Sequence, residues 1–466
     1  MSTATTKSSR PAFRLWLLVV GTLCLLFILF AFYSDSVKSP LEYAHSKAQE
    51  FCDSSLEPPA SETETEKATR TASETSTETK TARNCEDPYR RPGFLVIPSD
   101  EEAYRETTWM PYTDKFLNAE PPESAAYPPQ QAELIFNDTN VPQEFLTGPG
   151  MPQQWMHIVT REYRRRRKAI NHIENATASD YASMKDDGGL GWLWGRRILE
   201  FGDSIDRYEA WYVCQELGSE MNFPAVDPMG KERHAKGICD IPAFNVTFFV
   251  FHSAGSFTYT PRWFWYPSIS IVAFEERWNK IWKPHEEPIN GPNGRPDLVL
   301  WQNGLWDQRA FTRGGHKMHQ GNTTMNARYR KLVWEELRFY SSRLRKFADR
   351  MVDEFPDTPK MFRSLTVHKK TGMEDVMVVE MDRLGRALAE QYGHEIFEWS
   401  RIISLLGDLY RDRTHPAKGA LSWLWGNMVL EYLARSAGAQ VGGTERWPYF
   451  EGWDACHEEL AGWGGR

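Results

Sequence analysis

The chain has 466 residues, of which 41% are hydrophobic and 25% are charged, and its formal net charge is −8 with a pI near 5.9. An acidic chain lacks the basic surface that is typical of nucleic-acid-binding proteins, so we expect no nucleic-acid partner. Residues 91–466 suffice for one large domain or two ordinary ones, and we favour one.

An uncharged apolar segment lies near the N-terminus. Residues 1–14 carry only basic charges, and residues 15–33 have the length and composition of a membrane-spanning helix. No small-residue cleavage pattern follows. The positive-inside rule then keeps residues 1–14 in the cytosol as a tail and places the remainder in the lumen. We expect a single-pass type II membrane protein anchored at 15–33, with a cleaved signal peptide as the alternative.

Residues 34–90 are predicted to form a disordered stalk. Its segment 61–83 consists almost entirely of Ser, Thr, Glu, Ala and Lys, so it offers no apolar surface to offset the entropy lost on ordering. Beyond the stalk, N-x-[ST] sequons agree with a lumenal location and predict glycosylation. The sequon asparagines are Asn137, Asn175, Asn245 and Asn322.

Residues 91–190 are predicted to be an irregular N-terminal part of the lumenal domain, because they hold proline-rich turns and few periodic runs. The basic run 164–168 is interpreted as a solvated helix face, with a processing site or an anionic-ligand patch as alternatives. In an oxidising lumen some cysteines should pair, and Cys214 with Cys239 is the candidate pair. No Cys-x-x-Cys motif occurs, so we expect no metal site.

A strand-to-helix turn is predicted around Ser204. Residues 196–201 resemble a short strand that ends at Gly202, and apolar residues then recur at helical spacing over 205–217. At such a turn, free backbone N–H groups and the helix dipole favour a developing anion. Ser204 is therefore a candidate nucleophile. The alternative is that Asp203 or Ser204 only caps the helix.

A second candidate group follows the buried-strand run Leu298–Trp301. Asn303 lies just past its end, where ligands bind in open α/β sheets, and its amide can donate a hydrogen bond to an oxyanion beside the N–H of Ser204. The alternation of elements predicts an α/β fold, a three-layer α/β/α sandwich with a parallel central sheet. Further strands are expected at 248–251, 361–367 and 395–403, and further helices at 326–355, 381–392 and 417–435.

An acid and a histidine lie in the sequence Asp412-Arg413-Thr414-His415. Pro416 suits a first helical turn, so His415 is expected on a constrained loop at the entrance of a helix. A histidine there can take the proton of Ser204 while Asp412 fixes its tautomer. The alternative is a helix-capping aspartate and a surface histidine.

These motifs, in this order, resemble the SGNH (GDSL-like) hydrolase superfamily. Gly-Asp-Ser-x-x-Arg at 202–207 and the Asp-x-x-His-Pro end look like its PC-esterase and trichome-birefringence-like branch, which includes Golgi O-acetyltransferases acting on polysaccharides. The resemblance covers about 190–435 and implies an SGNH-like catalytic domain at 191–466.

The resemblance implies a role for each matching residue. Ser204 matches the nucleophile, His415 the base and Asp412 the acid that orients it. Ser204, Asn303 and Gly255 match the oxyanion donors. Gly255 is placed by the apolar strand before it, and an ordinary turn glycine is the alternative.

Supporting residues are implied around the nucleophile, namely Gly202, Asp203 and Arg207. Arg207 is expected to pair with Asp203 or Asp206, with contact to a substrate group as the alternative. The sequence departs from the plant members of the branch in two respects. The asparagine block 302–307 reads Gln-Asn-Gly-Leu-Trp-Asp rather than Asn-x-Gly-His-Trp, and their cysteine-rich N-terminal subdomain is missing. Both departures leave the substrate class open.

The implied function is that of an enzyme, a Ser-His-Asp acyltransferase or esterase, in a Golgi or other secretory-pathway membrane. The leading expectation is transfer of an acyl group, in the first place acetyl, to a hydroxyl of a glycan or polysaccharide. The acyl donor, acetyl-CoA or an acetylated intermediate, would be a co-substrate and no cofactor would stay bound. One membrane span does not carry acyl groups across alone, so a membrane protein that supplies the donor is an expected partner.

Three other functions compete with acyl transfer. A carbohydrate esterase would use the same residues with water as the acceptor. A glycosyltransferase is disfavoured because no Asp-x-Asp motif occurs, and a non-catalytic glycan-binding protein is disfavoured by the complete residue set. Tryptophans are expected either to stack on sugars or to pack in the core. They include Trp263, Trp265, Trp301 and Trp306.

Overall fold

Strands and helices alternate along most of the chain. This computed structural model describes residues 87–98, 100–113, 117–118, 141, 143–146, 151–224, 235–258, 269, 271–285, 289–291, 294–318, 330–369, 376–404, 406–436, 440–441 and 444–445. The predicted tail and anchor, nearly all of the stalk, Asn137, Asn322, Trp263 and Trp265 lie outside these residues. Over the described ranges, every helix is too short or too polar to cross a membrane.

The elements have the following bounds. The strands are β1 Gly93–Val96, β2 Thr108–Pro111, β3 Arg197–Gly202, β4 Lys236–Ile241, β5 Val246–His252, β6 Leu298–Trp301, β7 Lys360–Arg363, β8 Glu395–Phe397, β9 Gln440–Val441 and β10 Thr444–Glu445. The α-helices are α1 Trp155–Ala169, α2 Ala178–Tyr181, α3 Ser204–Glu216, α4 Phe274–Arg277, α5 Leu305–Met318, α6 Trp334–Glu354, α7 Val376–Gln391, α8 Trp399–Ile403 and α9 Ala420–Ser436.

A six-stranded sheet with the order β4-β5-β3-β6-β7-β8 forms the centre of the fold. Alternate residues of a strand face opposite sides. Ile198 and Leu300 pack with α1, α3 and α9, whereas Leu199 and Trp301 pack with α5, α6 and α7. Helices therefore cover both faces, which explains why the central strands read as continuous apolar runs.

The order of the strands brings three loops together. After β3 the chain adds β4 and β5 on one side of β3, and it then adds β6, β7 and β8 on the other side. The order in which strands are added therefore reverses between β3 and β6. Gly202 is paired in register with His252, and Phe201 with Trp301. The loops that begin at residues 203, 253 and 302 therefore leave the same edge of the sheet, at the switch point where α/β proteins bind ligands.

The prediction of a wholly parallel central sheet is wrong at one strand. β4 runs antiparallel to β5, because a short turn that ends at Asn245 in the left-handed region (φ 53°) joins the two strands. So short a connection allows only an antiparallel pair. The disulfide Cys214–Cys239 connects β4 to α3 and confirms the candidate pair.

Several predicted boundaries are wrong. The strand expected at 395–403 ends at Phe397, and α8 follows. Its residues Trp399, Ile402 and Ile403 are buried at helical i, i+3, i+4 spacing. The helix expected at 326–355 begins only at Trp334, behind a turn capped by the Glu336 carboxylate. α5 was not predicted at all.

The described part of the region before the nucleophile contains regular elements that were not predicted. Residues 91–190 contain the β1–β2 hairpin and α1, whose first residues are buried against α9. The basic run is only partly solvated: Arg166 is fully buried, pairs with Glu162 and donates to backbone carbonyls. Part of the expected stalk is folded too, because Asp87 accepts a hydrogen bond of 2.8 Å from the Tyr432 hydroxyl.

Candidate active site

The nucleophile turn is shaped by two aspartates. Asp203 caps α3, and its Oδ1 accepts from the N–H of Ile205 at 2.8 Å. Asp206 Oδ2 accepts in return from the N–H of Asp203 at 2.8 Å, which completes a capping box. Since Asp203 caps the helix, the hydroxyl of Ser204 is free for another contact.

Gly202 is required by this capping arrangement. A Cβ atom at residue 202 would lie 2.1 Å from Asp206 Oδ2, far inside contact distance. The carbonyl of Gly202 accepts from the N–H of Ser253, which ties the turn to the neighbouring loop. The glycine of Gly-Asp-Ser therefore provides space for the carboxylate that organises the turn.

Ser204, His415 and Asp412 form a continuous chain of contacts. Ser204 Oγ lies 2.7 Å from His415 Nε2, and His415 Nδ1 lies 2.9 Å from each carboxylate oxygen of Asp412. These are the contacts that a serine nucleophile, a histidine base and an orienting acid require. The structure thus brings together residues that are separated by 211 positions in the chain.

Asp412 is held as an anion. Its partial burial acts to raise its pKa, but the N–H groups of Thr414 and His415 and the His415 ring lower the pKa well below the usual value. The two backbone contacts to Oδ1 measure 2.8 and 2.9 Å. A carboxylate fixed in this way keeps His415 Nδ1 protonated and Nε2 free to accept a proton.

The loop that carries His415 differs from the prediction. α9 begins at Ala420 rather than beside Pro416, so His415 does not lie at a helix entrance. Instead Tyr410 and Pro416 form an antiparallel bridge, and the N–H of Arg411 donates to the carbonyl of His415 at 3.0 Å. The bridge closes a tight loop, which explains how it can hold both side chains in place.

An aromatic contact joins this loop to α3. The Tyr208 ring lies edge-on to the His415 imidazole at 5.2 Å, one helical turn after Ser204. The Arg411 guanidinium lies 3.9 Å from the centre of the Tyr208 ring and 3.4 Å from Asp412 Oδ2. Burial acts to raise the pKa of Tyr208, but the nearby guanidinium groups lower it overall. Sequence reasoning missed both residues, although Arg411 directly precedes Asp412.

The candidate oxyanion donors lie just past the ends of three adjacent strands, β5, β3 and β6. Asn303 is buried, and its Oδ1 accepts from Ser253 Oγ at 2.7 Å, while its Nδ2 contacts no acceptor among the described residues. Ser204 opens α3, so its N–H has no intrahelical acceptor. In the same described part, the N–H of Gly255 contacts no acceptor either. The arrangement can therefore supply N–H groups to a developing anion.

The expected pairing of Arg207 is wrong. Asp206 is bound instead by Arg363 of β7, whose Nε and Nη2 lie 2.6 and 2.9 Å from its two oxygens. Arg363 also lies 3.8 Å from Asp203. The Arg207 guanidinium lies against the rings of Tyr208 and Phe223, because its position on α3 turns it away from the sheet.

Other sequence candidates are placed less centrally. Asn175 is exposed, whereas Asn245 is half-buried beside the buried Thr247, whose hydroxyl donates to Asp240. Trp301 is fully buried in the core, so it cannot stack on a sugar; Trp306 is half-buried against His252. In the parts of the chain described above, no group of His, Cys, Asp and Glu is arranged to hold a metal ion.

No protein-family model and no curated protein matches the chain. Among solved structures, a protein described as a GDSL-like lipase from Parabacteroides merdae is 16% identical, covers 53% of this chain and 97% of its own, and has a TM-score of 0.28. Axe2, an acetylxylan esterase from Geobacillus stearothermophilus, is 16% identical, covers 53% of this chain and 96% of its own, and has a TM-score of 0.28. LAE5, an α/β hydrolase enzyme from the metagenome of Lake Arreo, Spain, is 16% identical, covers 53% of this chain and 96% of its own, and has a TM-score of 0.29. Likenesses of this size leave the function to be inferred from the site itself.

Proposed function

We propose that this protein is a serine acyltransferase that moves an acyl group, in the first place acetyl, to a glycan hydroxyl through an acyl-enzyme on Ser204. The observation that carries the proposal is the contact of 2.7 Å between Ser204 Oγ and His415 Nε2. That geometry activates a serine as a nucleophile, and Asp412 on the far side of the ring stabilises the imidazolium that results.

In the first half-reaction, Ser204 Oγ attacks the carbonyl carbon of the acyl donor. His415 Nε2 takes the hydroxyl proton as the C–O bond forms. The carbonyl oxygen becomes an anion, for which the N–H groups of Ser204 and Gly255 and the amide of Asn303 are the candidate donors. Collapse of this intermediate breaks the bond to the donor's leaving group, which receives the proton from His415.

In the second half-reaction, the acceptor hydroxyl loses its proton to His415 Nε2. Its oxygen attacks the acyl carbon on Ser204, and the same donors stabilise the second anion. The ester bond to Ser204 then breaks, and its oxygen takes back the proton. The acyl group has moved from the donor to the acceptor, and the enzyme is restored.

Hydrolysis is the second candidate, and the openness of the triad favours it. The side chains of Asp412 and His415 are 45% and 21% exposed, so water can reach the base. With water as the acceptor, the same acyl-enzyme yields a free acid, and the protein is a carbohydrate esterase. The preference for transfer comes from the expected anchor and stalk, which would hold the domain among glycans of the secretory lumen. There a membrane protein would supply the acyl donor.

The test uses the full-length protein and its Ser204→Ala variant. Each is incubated with an activated acetyl ester and a panel of oligosaccharides, and the sugars are examined by mass spectrometry. Acetyl mass on a sugar with the wild type alone supports the transferase and identifies its acceptor. Free acetate without a sugar product, if it depends on Ser204, supports the esterase. Equal turnover by a correctly folded Ser204→Ala protein would refute both.

A further inference from the structure

Two charged side chains hold the loop that follows β5. Ser256 donates to Asp307 Oδ1 twice, from its N–H at 2.9 Å and from its hydroxyl at 2.8 Å. Its carbonyl accepts from Arg343 Nε at 2.6 Å. Asp307 belongs to α5 and Arg343 to α6, and both are buried. The peptide groups on both sides of Ser256 are therefore fixed from outside the loop.

Gly255 is shaped to fit this arrangement. Its φ of +103° is one that side-chain-bearing residues rarely adopt, and a Cβ atom at residue 255 would lie 3.0 Å from Asp307 Oδ1. The loop thus combines a close approach to the carboxylate with a backbone conformation that favours glycine. An ordinary turn glycine requires only the second.

The helix that supplies Arg343 also holds the other donor. Tyr340 of α6 donates from its hydroxyl to the carbonyl oxygen of Asn303. Residues three apart lie on one face of a helix, so this face of α6 contacts both Asn303 and Ser256. The two blocks that carry Asn303 and Gly255 therefore share one support.

Stability alone does not account for a carboxylate at residue 307. Burial raises the pKa of Asp307 to about 6, against the opposing effect of its hydrogen bonds with Ser256. Its Oδ2 atom has no hydrogen-bond partner among the described residues. A buried carboxylate with one unpaired oxygen lowers the stability of the fold, so we infer that the Asp307 carboxylate serves a purpose other than stability.

We propose that Asp307 and Arg343 are positioning residues, which grip Ser256 from both sides so that the Gly255 N–H faces the oxygen of the reacting acyl group. This inference rests on the proposed function, because it assigns the loop to the oxyanion of that reaction. The oxyanion exists only in the transition state and intermediates. Loss of the grip should therefore reduce kcat and leave KM nearly unchanged.

The test measures kcat and KM of the full-length protein with p-nitrophenyl acetate. Asp307→Asn weakens both hydrogen bonds to Ser256, because a neutral amide oxygen replaces the carboxylate as their acceptor, and Ser256→Ala removes one of the two bonds. The matched control is Asp297→Asn. Asp297 is also buried, accepts from the N–H of Arg197 at 2.9 Å and pairs with Arg196, but lies just before β6, at the opposite edge of the sheet.

We expect Asp307→Asn to lower kcat by about 10- to 100-fold, as a small misplacement of a catalytic group does. Ser256→Ala should lower kcat less, because its N–H still donates to Asp307. Asp297→Asn should retain the wild-type kcat. A KM effect of similar size in Asp307→Asn, or an equal fall of kcat in the control, would overturn the proposal.

Two further outcomes keep the proposals separate. If Asp307→Asn does not fold, Ser256→Ala decides, and a wild-type kcat in that variant refutes the positioning role. The reference variant is Ser204→Ala. Activity that survives in Ser204→Ala, or is missing from the folded wild type, refutes the proposed function itself. Activity that needs Ser204 but is unchanged in both loop variants refutes only the positioning role.

Discussion

Arg363 on β7 binds both carboxylate oxygens of Asp206 on α3, at 2.6 and 2.9 Å, across 157 residues of sequence. Asp206 in turn holds the N–H of Asp203, immediately before Ser204. The turn that presents the candidate nucleophile is thus anchored to a strand two positions away in the sheet. Other carboxyl groups nearby are buried as well, and burial raises the pKa of Glu200 and Glu209 well above the usual value.

Replacement of Arg363 should therefore destabilise the fold. Arg363→Met leaves buried carboxylates without their cation, and breaking a buried pair from one side typically costs about 3–5 kcal/mol. Urea unfolding at neutral pH measures the change in the free energy of unfolding. The control is Lys280→Met, which removes an exposed i,i+4 pair with Glu276 and should cost less than about 1 kcal/mol. Equal losses would contradict the structural role of the pair.

Asn303→Ala should slow the chemistry more than it weakens substrate binding. Loss of one oxyanion donor typically lowers kcat by about 10²- to 10³-fold, or about 2.7–4 kcal/mol. Steady-state kinetics separate kcat from KM. Ser253→Ala is the graded companion, because it keeps the amide and removes only the hydroxyl that orients it. An effect confined to KM would show that Asn303 binds the ground state instead.

Asp412 should make stability depend on pH in acid. Hydrogen bonds lower its pKa in the folded protein despite partial burial, so its contribution is present above about pH 4 and is lost as pH falls through the folded pKa. Asp412→Asn should be less stable than the wild type at pH 7, and the gap should close in strong acid. Thermal unfolding at several pH values checks this, with Asp408→Asn, an exposed neighbour, as the control. A gap that is constant with pH would argue against the ionised contact.

Asp307 should have the opposite effect on the pH dependence of stability. Because burial raises its pKa from 3.8 to about 6, the folded state holds the proton more tightly, and stability falls as pH rises through this window. The raised pKa corresponds to about 3 kcal/mol of unfavourable ionisation above pH 6. Asp307→Asn should therefore be more stable than the wild type at pH 8, and equally stable below pH 4. A variant that is less stable at pH 8 would indicate a mainly structural role.

The sequence predicted the parts of the site that depend on local patterns. Leu298–Trp301 is a strand with the expected bounds, because an apolar run of this length between turn residues is typical of a buried strand and too short for a buried helix. Ser204 begins a helix as expected, since Gly202 is typical of the end of a strand and Asp203 is typical of a helix N-cap. The meeting of Ser204 with His415 followed from motif order rather than from any local signal.

What could not be predicted depends on contacts between distant segments. Arg363 lies in an unremarkable strand, and nothing near it in the chain marks Asp206 as its partner. Tyr340 and Arg343 were expected in a helix, but which face of that helix meets the loops is decided by packing. β4 was missed because its residues carry no strong alternation, and its pairing depends on the turn that joins it to β5.

The shared support on α6 means that the two loops are not independent parts. A change that shifts this helix along its axis would move Tyr340 and Arg343 together, and with them the backbones of Asn303 and Ser256. Leu344 and Phe347 on the inner face of α6 are buried in the hydrophobic core. Substitutions of these core residues would therefore change the rate of the reaction, although the residues lie in the interior of the protein. Variants selected for a faster or slower enzyme would then carry changes that look unrelated to its chemistry.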